Sequence, residues 1–164
     1  MNKLSSYALS LVLAGALVSC GDDNNNDPQP ANQTASEKLM AKPWMITAAT
    51  EKKGNNAAVD IYTSENACLK DNLYKFQAGN VLTLDEGKTK CLGTSPQTTT
   101  GQWSLSNNDQ TLSGTITFTI APGFSSEIEL TGTIEELSAT QLILVDTETV
   151  NGLATVTRTT FTAQ

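Results

Sequence analysis

The chain contains three cysteines, Cys20, Cys68 and Cys91, and no histidine. Thiols can bind metals, carry out redox chemistry, form disulfides or accept a lipid. No two of these cysteines have the C-x-x-C spacing of a redox motif, and a zinc site would lack the histidine that often completes a two-cysteine shell. A metal or redox site is therefore the weaker interpretation of Cys68 and Cys91.

Cys20 follows a segment typical of a secretory signal peptide. Lys3 supplies the positive start, and an apolar run of about a dozen residues follows, shorter than the roughly 20 residues of a membrane-spanning helix. The stretch LVSCG at 17–21 looks like a bacterial lipobox, in which the cysteine becomes the acylated first residue of the mature protein. We predict a lipoprotein signal peptide at 1–19 and a lipid anchor at Cys20, in the outer membrane of the cell envelope. The alternative is a plain secreted protein with an accidental cysteine.

Residues 20–33 are predicted to form a flexible acidic linker, because they are polar, contain prolines and offer almost nothing to bury. The Asp22-Asp23 pair resembles the acidic tract that marks some Gram-negative lipoproteins for display on the outer face of the outer membrane. A linker that faces the periplasm is the alternative. The spacing of these aspartates lacks the glycine and the glutamate of a calcium-binding EF-hand loop, so no metal is predicted.

Export changes the interpretation of the two remaining cysteines. An exported chain meets an oxidising compartment, and Cys68 and Cys91 permit a single pairing. We predict a structural disulfide between them, which would contribute roughly 3 kcal/mol in the chain-entropy model.

Paired carboxylates occur at Glu127/Glu129 and at Glu135/Glu136. The first pair belongs to the outward face of a predicted strand and the second straddles a strand end, so neither forms the convergent pair of a glycosidase. Without a histidine or a Gly-x-Ser-x-Gly motif, we predict no enzyme, no catalytic residue and no cofactor. The formal charge of −7 argues against a nucleic-acid partner.

The elements that must position these side chains are mostly strands. A capping-box spacing at Thr34-Ala35-Ser36-Glu37 predicts a short helix to about Ala41, which Pro43 stops. Beyond Trp44 the hydrophobic period becomes two, as in half-buried strands. The eight predicted strands are Trp44 to Glu51, Leu73 to Gln77, Val81 to Asp85, Thr99 to Leu105, Leu112 to Ile120, Glu127 to Glu135, Gln141 to Asp146 and Ala154 to Thr162.

Short turns separate most of these strands, so neighbours should pair as antiparallel hairpins. Eight successive hairpin strands can close into an up-and-down barrel without a free edge. We therefore predict an all-β, eight-stranded antiparallel barrel over residues 34–164, with a short N-terminal helix. An immunoglobulin-like sandwich is the alternative, and it would need crossing connections between two sheets.

Five motifs spread over most of residues 34–164 resemble the lipocalin-like domains of bacterial cell-envelope lipoproteins. They are KPW at 42–44, CLKDNLYKF at 68–76, GKTKC at 87–91, TGQWSL at 100–105 and LSATQL at 137–142. The resemblance implies an eight-stranded barrel with a short helix under one end. In lipocalins an arginine of the last strand packs over a first-strand tryptophan, so Arg158 over Trp44 is one hypothesis for barrel closure. An Arg158 side chain in solvent is the other.

The inward positions of the predicted strands are mainly apolar. The candidates for lining a cavity or a core are Trp44, Tyr74, Phe76, Leu84, Trp103, Ile116, Phe118, Leu130 and Leu142. An eight-stranded barrel is either filled by such side chains or holds one small ligand. Periodicity does not distinguish the two. If a cavity exists, Tyr74, Trp103 and Trp44 could offer it polar groups.

We therefore predict a lipid-anchored lipocalin-like barrel that binds a small hydrophobic or amphipathic ligand. The alternative is an accessory or structural surface lipoprotein that contacts proteins or glycans through its exterior. The sequence does not identify the ligand, the protein partner or the oligomeric state.

Overall fold

The computed structural model describes residues 33–121 and 123–164. The predicted signal peptide, Cys20 and the linker up to residue 32 lie outside the described residues. The described elements are α1 (Ala35–Met40), β1 (Trp44–Lys53), β2 (Val59–Asp60), α2 (Ala67–Lys70), β3 (Leu73–Gln77), β4 (Val81–Asp85), β5 (Thr98–Ser106), β6 (Thr111–Ala121), β7 (Phe124–Leu137), β8 (Gln141–Val150) and β9 (Leu153–Ala163). No helix in these two ranges is long and apolar enough to cross a bilayer.

The eight predicted strands are all present. β3 and β4 have the predicted ends, and the other six extend one to four residues further at one or both ends. The extra residues are held by pairing with the neighbouring strand and need no buried side chain of their own. The two-residue strand β2 and the one-turn helix α2 were not predicted, because the connection that holds them has neither a strand period nor a helix period.

The strands form one antiparallel meander that closes on itself. The order is β1-β3-β4-β5-β6-β7-β8-β9, and β9 pairs again with β1 over the register from Trp44↔Ala163 to Lys53↔Thr155. The short strand β2 adds to the open side of β1. The predicted eight-stranded barrel is confirmed and the sandwich is excluded.

Helix α1 lies under the end of the barrel where β1 begins, which we call the closed end. Thr34 and Glu37 form the predicted capping box: the Glu37 amide donates to Thr34 Oγ1 at 3.2 Å, and Glu37 Oε2 accepts from the Thr34 amide at 2.8 Å. Leu39 of the helix is fully buried, and its carbonyl accepts a 2.8 Å bond from the Trp44 indole N–H. The helix is thereby fixed to the first strand.

A close-packed core fills the barrel behind this helix. Two edge-to-face ring pairs, Phe76 with Trp103 and Tyr74 with Phe161, lie within it at centroid distances of 5.4 and 5.9 Å. The buried core side chains are Leu39, Trp44, Tyr74, Phe76, Leu82, Leu84, Trp103, Leu112, Ile116, Leu130, Leu142, Leu144 and Phe161. Five of these are not among the nine candidates named from the sequence: Leu39, Leu82, Leu112, Leu144 and Phe161.

The opposite end of the barrel, which we call the mouth, carries the two long connections at 54–72 and 86–97. Cys68 in α2 and Cys91 in the second connection form the predicted disulfide, with their Cα atoms 5.1 Å apart. The carboxylate of Asp71 accepts bonds of 2.9 Å from the amides of Lys88 and Thr89. The two connections are therefore joined beside the barrel opening.

Candidate ligand-binding cavities

The nine predicted lining residues divide between core and cavities. Tyr74 and Leu130 line one cavity in the mouth half, and Leu84 and Phe118 line a second. The remaining five are buried in the packed core: Trp44, Phe76, Trp103, Ile116 and Leu142. Both predicted outcomes, a filled barrel and a hollow barrel, therefore occur in different halves of the same molecule.

The indole groups do not serve a ligand. The Trp44 N–H donates to the Leu39 carbonyl at 2.8 Å, and the Trp103 N–H donates to the Gln77 carbonyl at 3.0 Å. Because an indole has one donor and no acceptor, both are fully used within the protein. The expectation that these tryptophans offer polar groups to a cavity is wrong. Of the three side chains named for that role, Tyr74 is the one that lines a cavity.

The first cavity has a volume of about 360 Å³ and is largely apolar. Leu84, Phe118 and Ile128 line it from the barrel wall, and Leu92 and Pro96 line it from the connection at 86–97. Leu69 of α2 and Cys91 complete this side, so the disulfide joins two parts of the cavity wall. We call this space the apolar cavity.

The second cavity, of about 370 Å³, lies in the same half of the barrel, and Ile128 lines both. Apolar side chains line it toward the core: Ile46, Tyr74, Leu130, Leu144 and Phe161. Toward the mouth the lining changes to hydroxyls and carboxylates, from Asp146, Glu148, Thr157 and Thr159. We call this space the polar cavity.

The polar cavity lies where the neighbouring strands β7 and β8 are no longer paired. Pairing between β7 and β8 ends at Thr133↔Val145. From there toward the mouth, β7 remains paired only with β6, and β8 remains paired only with β9. Four consecutive residues of β7, from Ile128 to Thr131, line the cavity. Successive side chains of a strand point to opposite faces, so side chains on the inner face cannot account for all four. The backbone edge of β7 therefore forms part of the cavity wall.

Burial in the polar cavity controls the ionisation of Tyr74. The side chain is 4% exposed, and this desolvation raises the pKa of Tyr74 to about 12, although a hydrogen bond from the Asn72 side chain acts in the opposite direction. The phenol therefore remains neutral at physiological pH. It presents the cavity with an uncharged aromatic face.

The polar lining was missed by the sequence analysis. The strand predicted at Gln141 to Asp146 continues to Val150, and its inward positions alternate from Leu142 and Leu144 to Asp146 and Glu148. In β9, Phe161 is buried, so Thr159 and Thr157 share its face. Counting back by twos from Phe161 could have identified the two threonines. The carboxylates could have been found in the same way from Leu144.

Arg158 does not pack over Trp44. It lies opposite Thr50 in the β1–β9 register, whereas Trp44 lies opposite Ala163. Its guanidinium forms a two-pronged pair with Glu135 of β7, with a shortest distance of 2.7 Å, on the exposed outer face. The hypothesis for barrel closure is therefore wrong; the pairing of β9 with β1 is made by backbone hydrogen bonds, and Trp44 is covered by Leu39.

Of the four residues in the carboxylate pairs, Glu129 alone borders one of the two cavities, and it does so from the outward side of β7. Glu127 accepts a bond from the Thr117 hydroxyl at 3.1 Å, and Glu135 is bound to Arg158. Arg158 holds the pKa of the Glu135 carboxyl below its usual range, chiefly through these hydrogen bonds. Within the described ranges, no three acidic or cysteine side chains form a group that could hold a metal ion.

The closed eight-stranded antiparallel barrel and its short helix agree with a comparison to known families. The family model of the lipocalin-like domain matches residues 40–144, which is more than half of the chain. A comparison with curated proteins finds no match. The matched segment runs from the end of α1 to the buried Leu144 of β8 and includes the disulfide. The chain therefore belongs to the family of lipocalin-like domains.

Proposed function

We propose that this chain is a lipid-anchored protein of the cell envelope whose barrel binds a small hydrophobic or amphipathic molecule in its mouth half. The observation that carries the proposal is the pair of cavities, of about 360 and 370 Å³, beside a fully packed core. Volumes of this size are typical of sites for small molecules. The packed half supports the strands, so the empty half is not needed to hold the fold together.

The domain division we propose is a signal peptide at 1–19, a lipidated Cys20 with an acidic linker to residue 33, and the barrel from residue 34. The linker meets the barrel at α1, which lies under the closed end. The mouth is at the opposite end of the barrel. An anchored barrel would then present its mouth away from the point of attachment, where a ligand can enter from the surrounding fluid.

Ile128 provides the test of ligand binding because it lines both cavities. We expect Ile128→Trp to fill the junction between them and to weaken binding of the neutral apolar dye N-phenyl-1-naphthylamine by about tenfold or more. The measurement is dye fluorescence with the full-length Cys20→Ala chain, in which no acyl chain of the protein itself competes. Thermal unfolding of each variant verifies that it is folded.

The matched control is Thr147→Trp. Thr147 is exposed and lies on the strand between the inward positions Asp146 and Glu148, so its side chain points outward. This variant should bind the dye as the parent does. Equal binding by folded Ile128→Trp, or no dye binding by the parent, would contradict a ligand site inside the barrel.

A second candidate function, contact with a protein or glycan through the exterior, is favoured by exposed apolar side chains on the turns at the mouth. Phe124, at the turn between β6 and β7, is 71% exposed, and Val150 and Leu153, at the turn between β8 and β9, are each about half exposed. A function of this kind would survive Ile128→Trp. It would be lost in Phe124→Ser, which leaves both cavities unchanged.

A further inference from the structure

The charged side chains that line the two cavities are all acidic. Glu86 borders the apolar cavity, and Glu129, Asp146 and Glu148 border the polar cavity. Glu86 accepts a 3.2 Å bond from the Cys91 amide, and Glu129 lies on the outward side of β7. Of these four, Asp146 and Glu148 are the two that lie on the inner face of the barrel, next to Thr157 and Thr159.

Basic side chains do not neutralise this pair. None of the residues that line either cavity is lysine or arginine. On the same inner face, Lys53 lies level with Glu148 on the other side of β9, but it is 57% exposed and is paired with Glu51 at 2.8 Å. Arg158 is bound to Glu135 on the outer face. The polar cavity is therefore a negatively charged space, and it shares the lining residue Ile128 with the apolar cavity, which is bordered by one charged side chain, Glu86.

This arrangement discriminates between headgroups of opposite charge. A carboxylate or sulfate in the polar cavity would lie beside Asp146 and Glu148 in a space partly screened from water, where like charges repel more strongly than in bulk solvent. An ammonium would be attracted by the same carboxylates and could donate hydrogen bonds to them and to the hydroxyls of Thr157 and Thr159.

We propose that the barrel selects cationic amphiphiles, with the apolar chain in the apolar cavity, the ammonium between Asp146 and Glu148, and Ile128 at the junction. The inference rests on the proposed function and adds the sign of the ligand's charge to it. It distinguishes this barrel from a carrier of fatty acids or other anionic lipids. It also assigns a role to two side chains on the inner face of β8.

Three probes with the same twelve-carbon chain test the charge preference: dodecylammonium, 1-dodecanol and dodecanoate. Each displaces N-phenyl-1-naphthylamine from the full-length Cys20→Ala chain at pH 7, below its micelle-forming concentration. We expect dodecylammonium to bind about tenfold or more tightly than dodecanoate, with dodecanol between them. In the double variant Asp146→Asn, Glu148→Gln, the preference should fall to about twofold or less.

Glu127→Gln is the matched charge control. It removes one negative charge from the outer face of the neighbouring strand β7, so the preference for dodecylammonium should persist. Persistence of the preference in the double variant, or loss of it in Glu127→Gln, would overturn the assignment to the polar cavity.

The outcomes separate this inference from the function on which it rests. Dodecanoate binding as tightly as dodecylammonium would overturn the charge preference while leaving ligand binding in place. Failure of all three probes, including the uncharged dodecanol, would contradict the proposed function and this inference with it. Circular dichroism and thermal unfolding of each variant confirm that the barrel is intact.

Discussion

Burial raises the pKa values of two tyrosines, Tyr74 and Tyr62, whereas hydrogen bonds lower those of several carboxylates. Glu37 and Glu135 are exposed and Asp85 is partly buried, and hydrogen bonds from Thr34, Arg158 and Lys75, respectively, are the largest cause of their lowered pKa values. Desolvation raises the pKa of Tyr74, so the neutral form of its hydroxyl is favoured. Asp85 therefore joins β4 to β3 and Glu135 joins β7 to β9, whereas Glu37 caps its own helix and Tyr74 lies in the interior.

At the residue scale, we expect Tyr74 to control stability at alkaline pH. Below pH 10 its hydroxyl is protonated in the folded and unfolded chains alike, so its contribution is complete. Between pH 10 and about 12 the unfolded chain loses the proton first, and the free energy of unfolding falls by about 3 kcal/mol. Urea denaturation at intervals between pH 8 and pH 12 measures this fall.

Tyr74→Phe provides the comparison. The variant should be less stable near neutral pH by about 1 kcal/mol, because it loses the hydrogen bond with Asn72. Its stability should fall less steeply than that of the parent above pH 10. Parallel profiles for the two proteins over that range would show that Tyr74 does not hold the raised pKa.

Two of the three register shifts in the sheet, those in β1 and β7, change which side chains of the strand face inward. β1 shifts register between Ile46 and Ala48, and β7 shifts between Ile134 and Glu136. Such a bulge changes the parity of alternation for every residue beyond it. In β1 the shift places Glu51 on the same inner face as Thr157, where a strict period of two would place Lys52.

The contact between β5 and β6 leaves no room for a side chain at Gly101. A Cβ placed there would lie 1.9 Å from the Thr115 carbonyl oxygen and 2.8 Å from the Ile116 Cα. Both atoms belong to the backbone of the neighbouring strand, so the strands would have to separate. We expect Gly101→Ala to lower the free energy of unfolding by about 1–3 kcal/mol, as measured by urea denaturation with the buried Trp44 and Trp103 as fluorescent reporters.

Gly93→Ala is the control for this substitution. Gly93 lies in the connection at 86–97, has no positive φ, and a Cβ there would meet nothing within 4 Å. This variant should differ from the parent by less than about 0.5 kcal/mol. A Gly101→Ala protein as stable as Gly93→Ala would mean that β5 and β6 are not held at this distance.

For the molecule as a whole, the barrel has two unlike ends. The closed end holds α1 and the packed core, and the mouth holds the cavities and the disulfide-linked connections. Residues 20–33 join the barrel at the closed end, and 14 residues extend at most about 50 Å. A lipid at Cys20 would therefore tether the packed end and leave the end with the cavities free.

This orientation depends on the anchor, which Cys20→Ala tests. In a Gram-negative host we expect the substitution to move the protein from the membrane pellet to the soluble fraction, since acylation requires the thiol. Fractionation followed by immunoblotting measures the change. Retention of the variant in the pellet would contradict lipid attachment at Cys20.

The double variant Asp22→Asn, Asp23→Asn is the matched control and also tests surface display. It keeps the thiol, so it should remain in the membrane pellet. Removal of the acidic pair should reduce cleavage of the protein by protease added to intact cells. Unchanged cleavage would favour a sorting signal elsewhere in the chain.

Local pattern in the sequence determined most of the fold. Alternation located all eight barrel strands, the spacing of Thr34 and Glu37 located the helix start, and the pairing of Cys68 with Cys91 followed from there being two cysteines after Cys20. These features depend on residues close in the chain or on simple counting. The sequence therefore predicted a closed antiparallel barrel and a mainly apolar interior.

Tertiary structure decided how that interior is used. Whether Trp103 or Phe118 fills space or borders a cavity depends on strand tilt, on the bulges in β1 and β7, and on the separation of β7 from β8 beyond Thr133. These properties arise from the closure of the whole sheet, to which every strand contributes. A period of two reports which face of a strand is covered, and it carries no information about the distance across the barrel.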